Sequence, residues 1–424
     1  MTGASGDRRA WLGRDPWFAA ILVSFVVIHG ATNLIIPMAS YRALQLGVKP
    51  EGLGLLATAF SIPPLIVALR VGRIVDRTGG RPLTVAGLLL MTAAGVMLAA
   101  APSAPWVFAA FSVLGLGHMT AVVAMQGAVA RVSDEGSYDH RFSNISLAAS
   151  LGQLVGPAVG GLVVGQGSPD ETVRALLVGA GLAAAGLPVS LLLWRPALWR
   201  PARAAANEPA RAAANEPAGA DTPSAPAASL ASIVRTPGLL WAVLVSATVL
   251  SATDIILTYL PALGEERHWP ASLVGALLAI RAASSMAIRI FLGRLAARYG
   301  RAALLAVAML VSATAFVVLA FAEPLPLVVL LMVAIGAGLG IGQPMTIAWV
   351  ASLAEPRARA TAISVRMIGN RLGQVALPAA AGGMAAMAGV GGVLAATGLM
   401  VAVGIVGVVG GRRRQRRQPP PEDR

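Results

Sequence analysis

Gly72-Arg73-Ile74-Val75-Asp76-Arg77-Thr78-Gly79-Gly80-Arg81-Pro82 is a basic, glycine-punctuated turn between two long apolar runs. It returns 221 residues later as Gly293-Arg294 and Arg298-Tyr299-Gly300. The same offset carries Ala31-Thr32-Asn33 to Ala252-Thr253-Asp254, Gly115 and Gly117 to Gly336 and Gly338, and Leu151-Gly152-Gln153 to Leu372-Gly373-Gln374. Pro16 and Pro157 match Pro237 and Pro378 in the same register. So many coincidences without a gap mean that the chain is a duplicated unit.

The unit is built for lipid. Charged residues are 12% of the chain, hydrophobic residues 56%, and mean hydropathy is +0.73, whereas soluble domains carry about 25% charged residues. Apolar stretches long enough to cross a bilayer as helices recur at roughly 17–40, 53–70, 83–101, 106–130, 142–165, 172–194, 238–260, 271–292, 302–321, 326–350, 361–386 and 389–410. Strand-type alternation is absent, and the segments are too long for the strands of an outer-membrane barrel. The expected fold is all-α and integral to the membrane, with twelve transmembrane helices in two six-helix pseudo-symmetric bundles. Residues 1–194 form the first bundle and 238–411 the second. The stretch 195–237 is a hydrophilic linker with a tandem repeat (Ala202–Pro209, then 210–217) and a Pro/Ala/Ser-rich run that buries no core. Residues 412–424 are a basic tail.

The net charge of +14 does not point to nucleic acid, because its placement follows the membrane. With the N-terminus in the cytoplasm, 25 of the 33 Lys and Arg fall on that side, as the positive-inside rule requires. Both termini are expected in the cytoplasm, in a bacterial-type inner membrane crossed many times. The first span is longer than a signal-peptide core and lacks a small-residue cleavage site. The tail cluster Arg412-Arg413-Arg414 and Arg416-Arg417 can meet anionic lipid heads. There is no cysteine, and the four histidines (29, 118, 140, 268) are scattered. No metal site, cofactor or nucleophile–base pair is expected, and so no enzyme. The only lysine, Lys49, lies in Gly47-Val48-Lys49-Pro50, which excludes a phosphate-cradling ATPase loop. Work must come from an ion or solute gradient.

Six spans, a long linker and six related spans form a parallel repeat about the membrane normal, one layout of secondary transporters. The 72–82 turn resembles the signature loop of the major facilitator superfamily: glycine, three residues, aspartate, a basic residue, any residue, glycine, then basic residues. Gly80 stands where that family usually has a basic residue. The resemblance covers nearly the whole chain and implies alternating access. It also implies that Gly72, Asp76, Arg77, Gly79 and Arg81 form a cytoplasmic gate in which the carboxylate meets the start of span 11, a contact favoured by the helix dipole. The second copy has Ala297 in place of Asp76, so one such latch exists. In span 5, Gly152, Gly156, Pro157, Gly160 and Gly161 allow close helix approach and a bend. They resemble the antiporter motif of proton-coupled exporters, with Ser143 at the expected earlier glycine and Leu377 in the second half where the first has Gly156.

Ionisable groups inside spans mark function by default. Asp254 in span 7 is the acid well inside a span; Arg281 and Arg289 lie in span 8, Arg366 and Arg371 in span 11. At ~1.5 Å rise per residue an Asp254–Arg281 pair between neighbouring helices is feasible. His29 and Asn33 in span 1, His118 and Gln126 in span 4, Gln153 in span 5, Gln343 in span 10, and Asn370 and Gln374 in span 11 add neutral polarity. The two histidines are proton-relay candidates. In the resembled family spans 1, 4, 7 and 10 line the cavity, followed by 2, 5, 8 and 11, which makes Asp254, Arg281, Arg371, His29, Asn33, His118, Gln126 and Gln343 substrate and proton candidates. The expected function is proton-coupled export of a small organic molecule by a monomer. The alternative is proton-coupled uptake of an organic anion, suited by the excess of arginine. A transport-inactive sensor and a membrane enzyme are remote alternatives.

Overall fold

The structure is a computed structural model that describes residues 16–78, 80–132, 135–192, 236–353 and 359–415. The side chains of Asp76, Arg77 and Thr78 lie outside this description, as do almost all of the expected linker and the end of the basic tail. The described residues form eleven helices: α1 Pro16–Gln45, α2 Pro50–Thr78, α3 Arg81–Ala99, α4 Ala104–Val132, α5 Glu135–Val164, α6 Pro169–Leu192, α7 Leu239–Glu266, α8 Ala271–Tyr299, α9 Arg301–Leu319, α10 Leu325–Leu353 and α11 Arg359–Gln415. The last is two spans joined by a break at Ala388-Gly389, where Gly389 has φ 65°. Twelve crossings therefore exist, as the hydropathy pattern requires. Each helix is long and apolar enough to cross a bilayer, and its outward surface is lipid-like: Leu162 and Met387 are each 85% exposed.

Duplication is visible in the elements. α3 and α9 are each 19 residues long, while α2, α8, α4 and α10 are each 29. It is also visible in the contacts. A Cβ on Gly115 would fall on the carbonyl of Phe60, and one on Gly336 would fall on the carbonyl of Arg281, which are the positions 221 residues on. Gly152 meets Val26 and Gly30 as Gly373 meets Ala247 and Ser251. Backbone contacts at equivalent positions mean that the halves share one packing scheme, with their side chains free to differ.

Local chemistry sets the helix ends. Gly80 (φ 79°) turns the chain into α3, with Pro82 in its first turn, and Gly300 (φ 78°) does the same for α9. α6 starts on a reciprocal cap: the Ser168 hydroxyl accepts the Glu171 N–H (3.3 Å), and the Glu171 carboxylate accepts the N–H of Ser168 and of Gly167 (both 3.0 Å). Two arginines tie outgoing turns to neighbouring helix ends. Arg42 donates to the Ala101 carbonyl (2.7 Å), and Arg267 donates to the carbonyls of Leu319 and Ala320 (both 3.1 Å) and Ala322 (2.5 Å). Arg267 also lies over the Trp269 ring, 5.2 Å from its centroid.

The halves meet at the membrane face that carries the α1–α2 and α7–α8 turns. Gly54 of α2 sits against Pro378 and Gly382 of α11, while Gly275 of α8 sits against Pro157 and Gly161 of α5. These two crossings are the same crossing under the 221-residue operation. Thr58 donates to the Val375 carbonyl (3.1 Å), and the Ser272 N–H donates to Gly165 (2.8 Å). Among the described residues α4 and α10 share no packed seam. At the two glycine crossings the backbones of the two halves touch.

Candidate functional site

Six helices bring their polar residues to the interface between the halves. On α7, Asp254 is reached by Gln374 of α11, whose Nε2 donates to its Oδ2 at 2.7 Å. Gln374 in turn accepts from Arg371 Nη1 at 3.0 Å, one turn earlier. The amide thus stands between the two charges, with its donor toward the acid and its acceptor toward the base. A direct Asp254–Arg281 pair is feasible from the sequence, and in the structure the hydrogen bond to the carboxylate comes from Gln374. The depths of the two residues were compatible, but the α7–α11 packing puts Gln374 against the carboxylate first.

Arg281 stays close enough to Asp254 to interact electrostatically. Its own side chain is 3% exposed, and its Nε and Nη2 are buried without a hydrogen-bond partner. Arg289, two turns on along α8, spans the interface. Its Nε donates to Gly340 (3.2 Å), and its Nη1 donates to the Ser150 hydroxyl of α5 (2.7 Å), in the other half.

The first half presents aromatic and imidazole groups. His29 Nδ1 donates to the Phe25 carbonyl at 3.0 Å. The Thr32 hydroxyl proton goes to Ile28 (2.9 Å), so His118 Nδ1 donates to Thr32 Oγ1 (2.8 Å). With each Nδ1 carrying a proton, each neutral ring keeps Nε2 as an acceptor. The rings are 5.3 Å apart in an edge arrangement. Phe60 is 6.1 Å from His118 and 5.4 Å from Phe111, and Phe25 stacks on His29 at 5.7 Å. Arg289 is within electrostatic reach of His29, and Arg371 of His118. The two walls therefore face each other, one imidazole and aromatic, the other cationic.

Other expected residues lie elsewhere or have other work. Gln343 is paired with Arg366, whose Nη2 reaches Gln343 Oε1 (3.3 Å) and Thr346 Oγ1 (3.4 Å) within the second half. Asn33 donates to the carbonyl of His29 (2.9 Å) and is 6% exposed. Gln126 is in α4 and Gln153 in α5, both partly exposed. In the α5 glycine series, Gly152, Gly156 and Gly160 pack on α1, where their Cβ atoms would meet Val26, Gly30 and Leu34, while Gly161 turns to α8. The series thus serves two seams. Of the expected gate, Gly72 has open space where a Cβ would stand and Arg81 opens α3. Gly79 and the side chains of Asp76 and Arg77 lie outside the described residues. Among the described residues no three His, Cys, Asp or Glu come together as a metal site would need.

Sequence reasoning missed Ser150 as the partner of Arg289, Thr32 as the partner of His118, and the Gly54–Gly382 and Gly161–Gly275 crossings as a pair. The last was within reach, since Gly54 and Gly275, and Gly161 and Gly382, stand in the repeat register.

The family model described as Major Facilitator Superfamily matches residues 21–301 and 252–424. The chain is 27% identical over 146 residues to "Quinolone resistance protein NorA" of Staphylococcus aureus (strain MRSA252), covering 33% of this chain and 36% of the relative. It is 28% identical over 153 residues to "Multidrug resistance protein 2" of Bacillus subtilis (strain 168), covering 35% and 38%. The matched stretch thus spans little more than a third of either relative. Solved structures of similar fold include a bacterial homolog of the human lysosomal transporter Spinster, in an inward-facing and unoccupied conformation (TM-score 0.72, 15% identity, 96% of this chain and 98% of that one). A POT family transporter in complex with 5-aminolevulinic acid gives TM-score 0.72 at 13% identity (93% and 96%). The nucleoside transporter NupG gives 0.71 at 14% (95% and 100%).

Proposed function

Since the chain belongs to the Major Facilitator Superfamily and is a multi-pass secondary transporter of the membrane, we propose that it exports a small organic molecule in exchange for protons. The observation that carries this reading is a set of buried charged residues at the interface of two halves whose backbones touch at the glycine crossings. Under the positive-inside assignment both termini are cytoplasmic and the joined face is the outer one. The protein then stands open to the cytoplasm, ready to load a solute from within. Rocking separates the two glycine crossings and brings the cytoplasmic ends together. Asp76 of the 72–82 turn latches the closed cytoplasmic side.

Asp254 is the proton carrier in this scheme. Loss or gain of its proton alters the Gln374 bond, and through Gln374 the position of Arg371. His29 and His118, each with a free Nε2, relay the proton from the opposite wall. The names of the two bacterial relatives, a quinolone resistance protein and a multidrug resistance protein, support export. So does the glycine series of α5.

The test is solute flux in oriented vesicles under an imposed pH gradient. Accumulation should follow the gradient in the sense of export and stop when an uncoupler collapses it. Flux unchanged by the uncoupler removes the coupling, and accumulation in the opposite sense makes the protein an importer. Asp254→Asn should abolish pH-driven accumulation while solute exchange without a gradient continues.

A further inference from the structure

We propose that the transported solute is an aromatic organic anion whose carboxylate is held by the Nε–Nη2 edge of Arg281; this rests on the transport reading above. The two N–H bonds on that edge of a guanidinium run parallel and match the two oxygens of a carboxylate or phosphate. On Arg281 both atoms are buried and neither has a partner, in a side chain 3% exposed. Donors left unmade in this way are costly and structural sites avoid them.

Packing does not require an arginine here. The equivalent position in the first half is Phe60, and its carbonyl receives Gly115 as the Arg281 carbonyl receives Gly336. The charge is therefore an addition to a scaffold that works without it.

The surroundings favour a negative ligand. Asp254 is the acid within reach of both Arg281 and Arg371, and it already accepts from Gln374. Arg289 is committed to Gly340 and Ser150. Two guanidiniums beside one carboxylate, with Arg289 near Arg281, leave this part of the interface cationic in a medium where isolated charge is expensive. A solute carboxylate restores the balance, and a lipophilic cation worsens it. The opposite wall supplies the other half of the recognition: Phe60 and His118 form an aromatic shelf backed by the buried Phe111, and the two imidazole Nε2 atoms accept from any hydroxyl or N–H the solute carries. A cationic wall facing an aromatic one fits a flat ring bearing an acid.

The test is equilibrium binding to the purified full chain in lipid nanodiscs, with four probes that share one ring: 2-naphthoate, 2-naphthyl phosphate, 2-naphthamide and 2-naphthylmethylammonium. Naphthoate should bind, the amide at least tenfold more weakly, and the ammonium not measurably. Binding of the phosphate with the same dependence on Arg281 also supports the site, because it offers the same oxygens. Arg281→Phe, which copies the residue of the first half, should lose at least tenfold in naphthoate affinity, and Arg281→Lys should recover part of it. Amide binding equal to naphthoate, tighter binding of the ammonium, or full affinity in Arg281→Phe overturns the proposal. If Arg281→Phe fails to fold, the charge series on the native chain decides alone. Naphthoate binding without pH-driven flux removes the export reading and keeps the site. Gradient-driven flux of a cation that naphthoate does not inhibit removes the site and keeps export.

Discussion

At Gln374 a single amide holds an acid and a base apart: Nε2 bonds Asp254 at 2.7 Å and Oε1 accepts from Arg371 at 3.0 Å. Leucine at this position keeps the volume and removes both bonds. Gln374→Leu should therefore leave Asp254 buried without a donor, and we expect the pH dependence of transport to shift by a unit or more while the protein still folds. Unchanged pH dependence would show that the amide is packing alone. Arg289 provides a second residue-scale test. Its bond to Ser150 at 2.7 Å joins the halves below the glycine crossings, so Ser150→Ala should speed opening of the outer face, read as faster solute exchange. These residues were all visible as polar groups in apolar spans. Which of them bond was not, because a hydrogen bond depends on the crossing of two helices far apart in the chain.

Elements are governed by glycine and by arginine at their ends. At the two interhalf crossings the backbones touch, with Gly161 Cα 2.5 Å from where a Gly275 Cβ would lie. Gly275→Leu should prevent closure of that seam and trap the outward-open form, whereas Gly293→Leu, at a site with open space around it, should transport normally. Equal effects of the two would remove the crossing as a gate. Arg267 fastens the end of α9 through three carbonyls. Arg267→Ala should destabilise the second half by about 2 kcal/mol, seen as a lower melting temperature. Spacing made the α5 glycines legible as packing surface. It did not divide them between α1 and α8, since that division depends on how the two halves lean together.

For the whole molecule the central expectation is motion about the joined face. The chain contains no cysteine, so an introduced pair has no background. Thr58→Cys with Val375→Cys, placed where α2 bonds α11, should form a disulfide that stops transport, and reduction should restore it. A cross-linked protein that still transports would rule out opening at this face. Orientation has its own check: a periplasm-dependent phosphatase fused at the Gly47-Val48 turn should be active, and one fused after Arg424 inactive.

Composition and the 221-residue echo were enough to determine a duplicated, twelve-span membrane protein, because burying backbone polar groups in lipid leaves long helices as the available answer. They also named most of the polar residues at the interface, since an ionisable group inside a span is conspicuous. Tertiary structure decided what those residues do to one another. It gave Asp254 to Gln374 instead of Arg281, paired Gln343 with Arg366, and left one edge of Arg281 without a partner. The sequence records chemistry along one dimension, and a difference of a few ångströms in how α7, α8 and α11 cross settles which donor meets which acceptor.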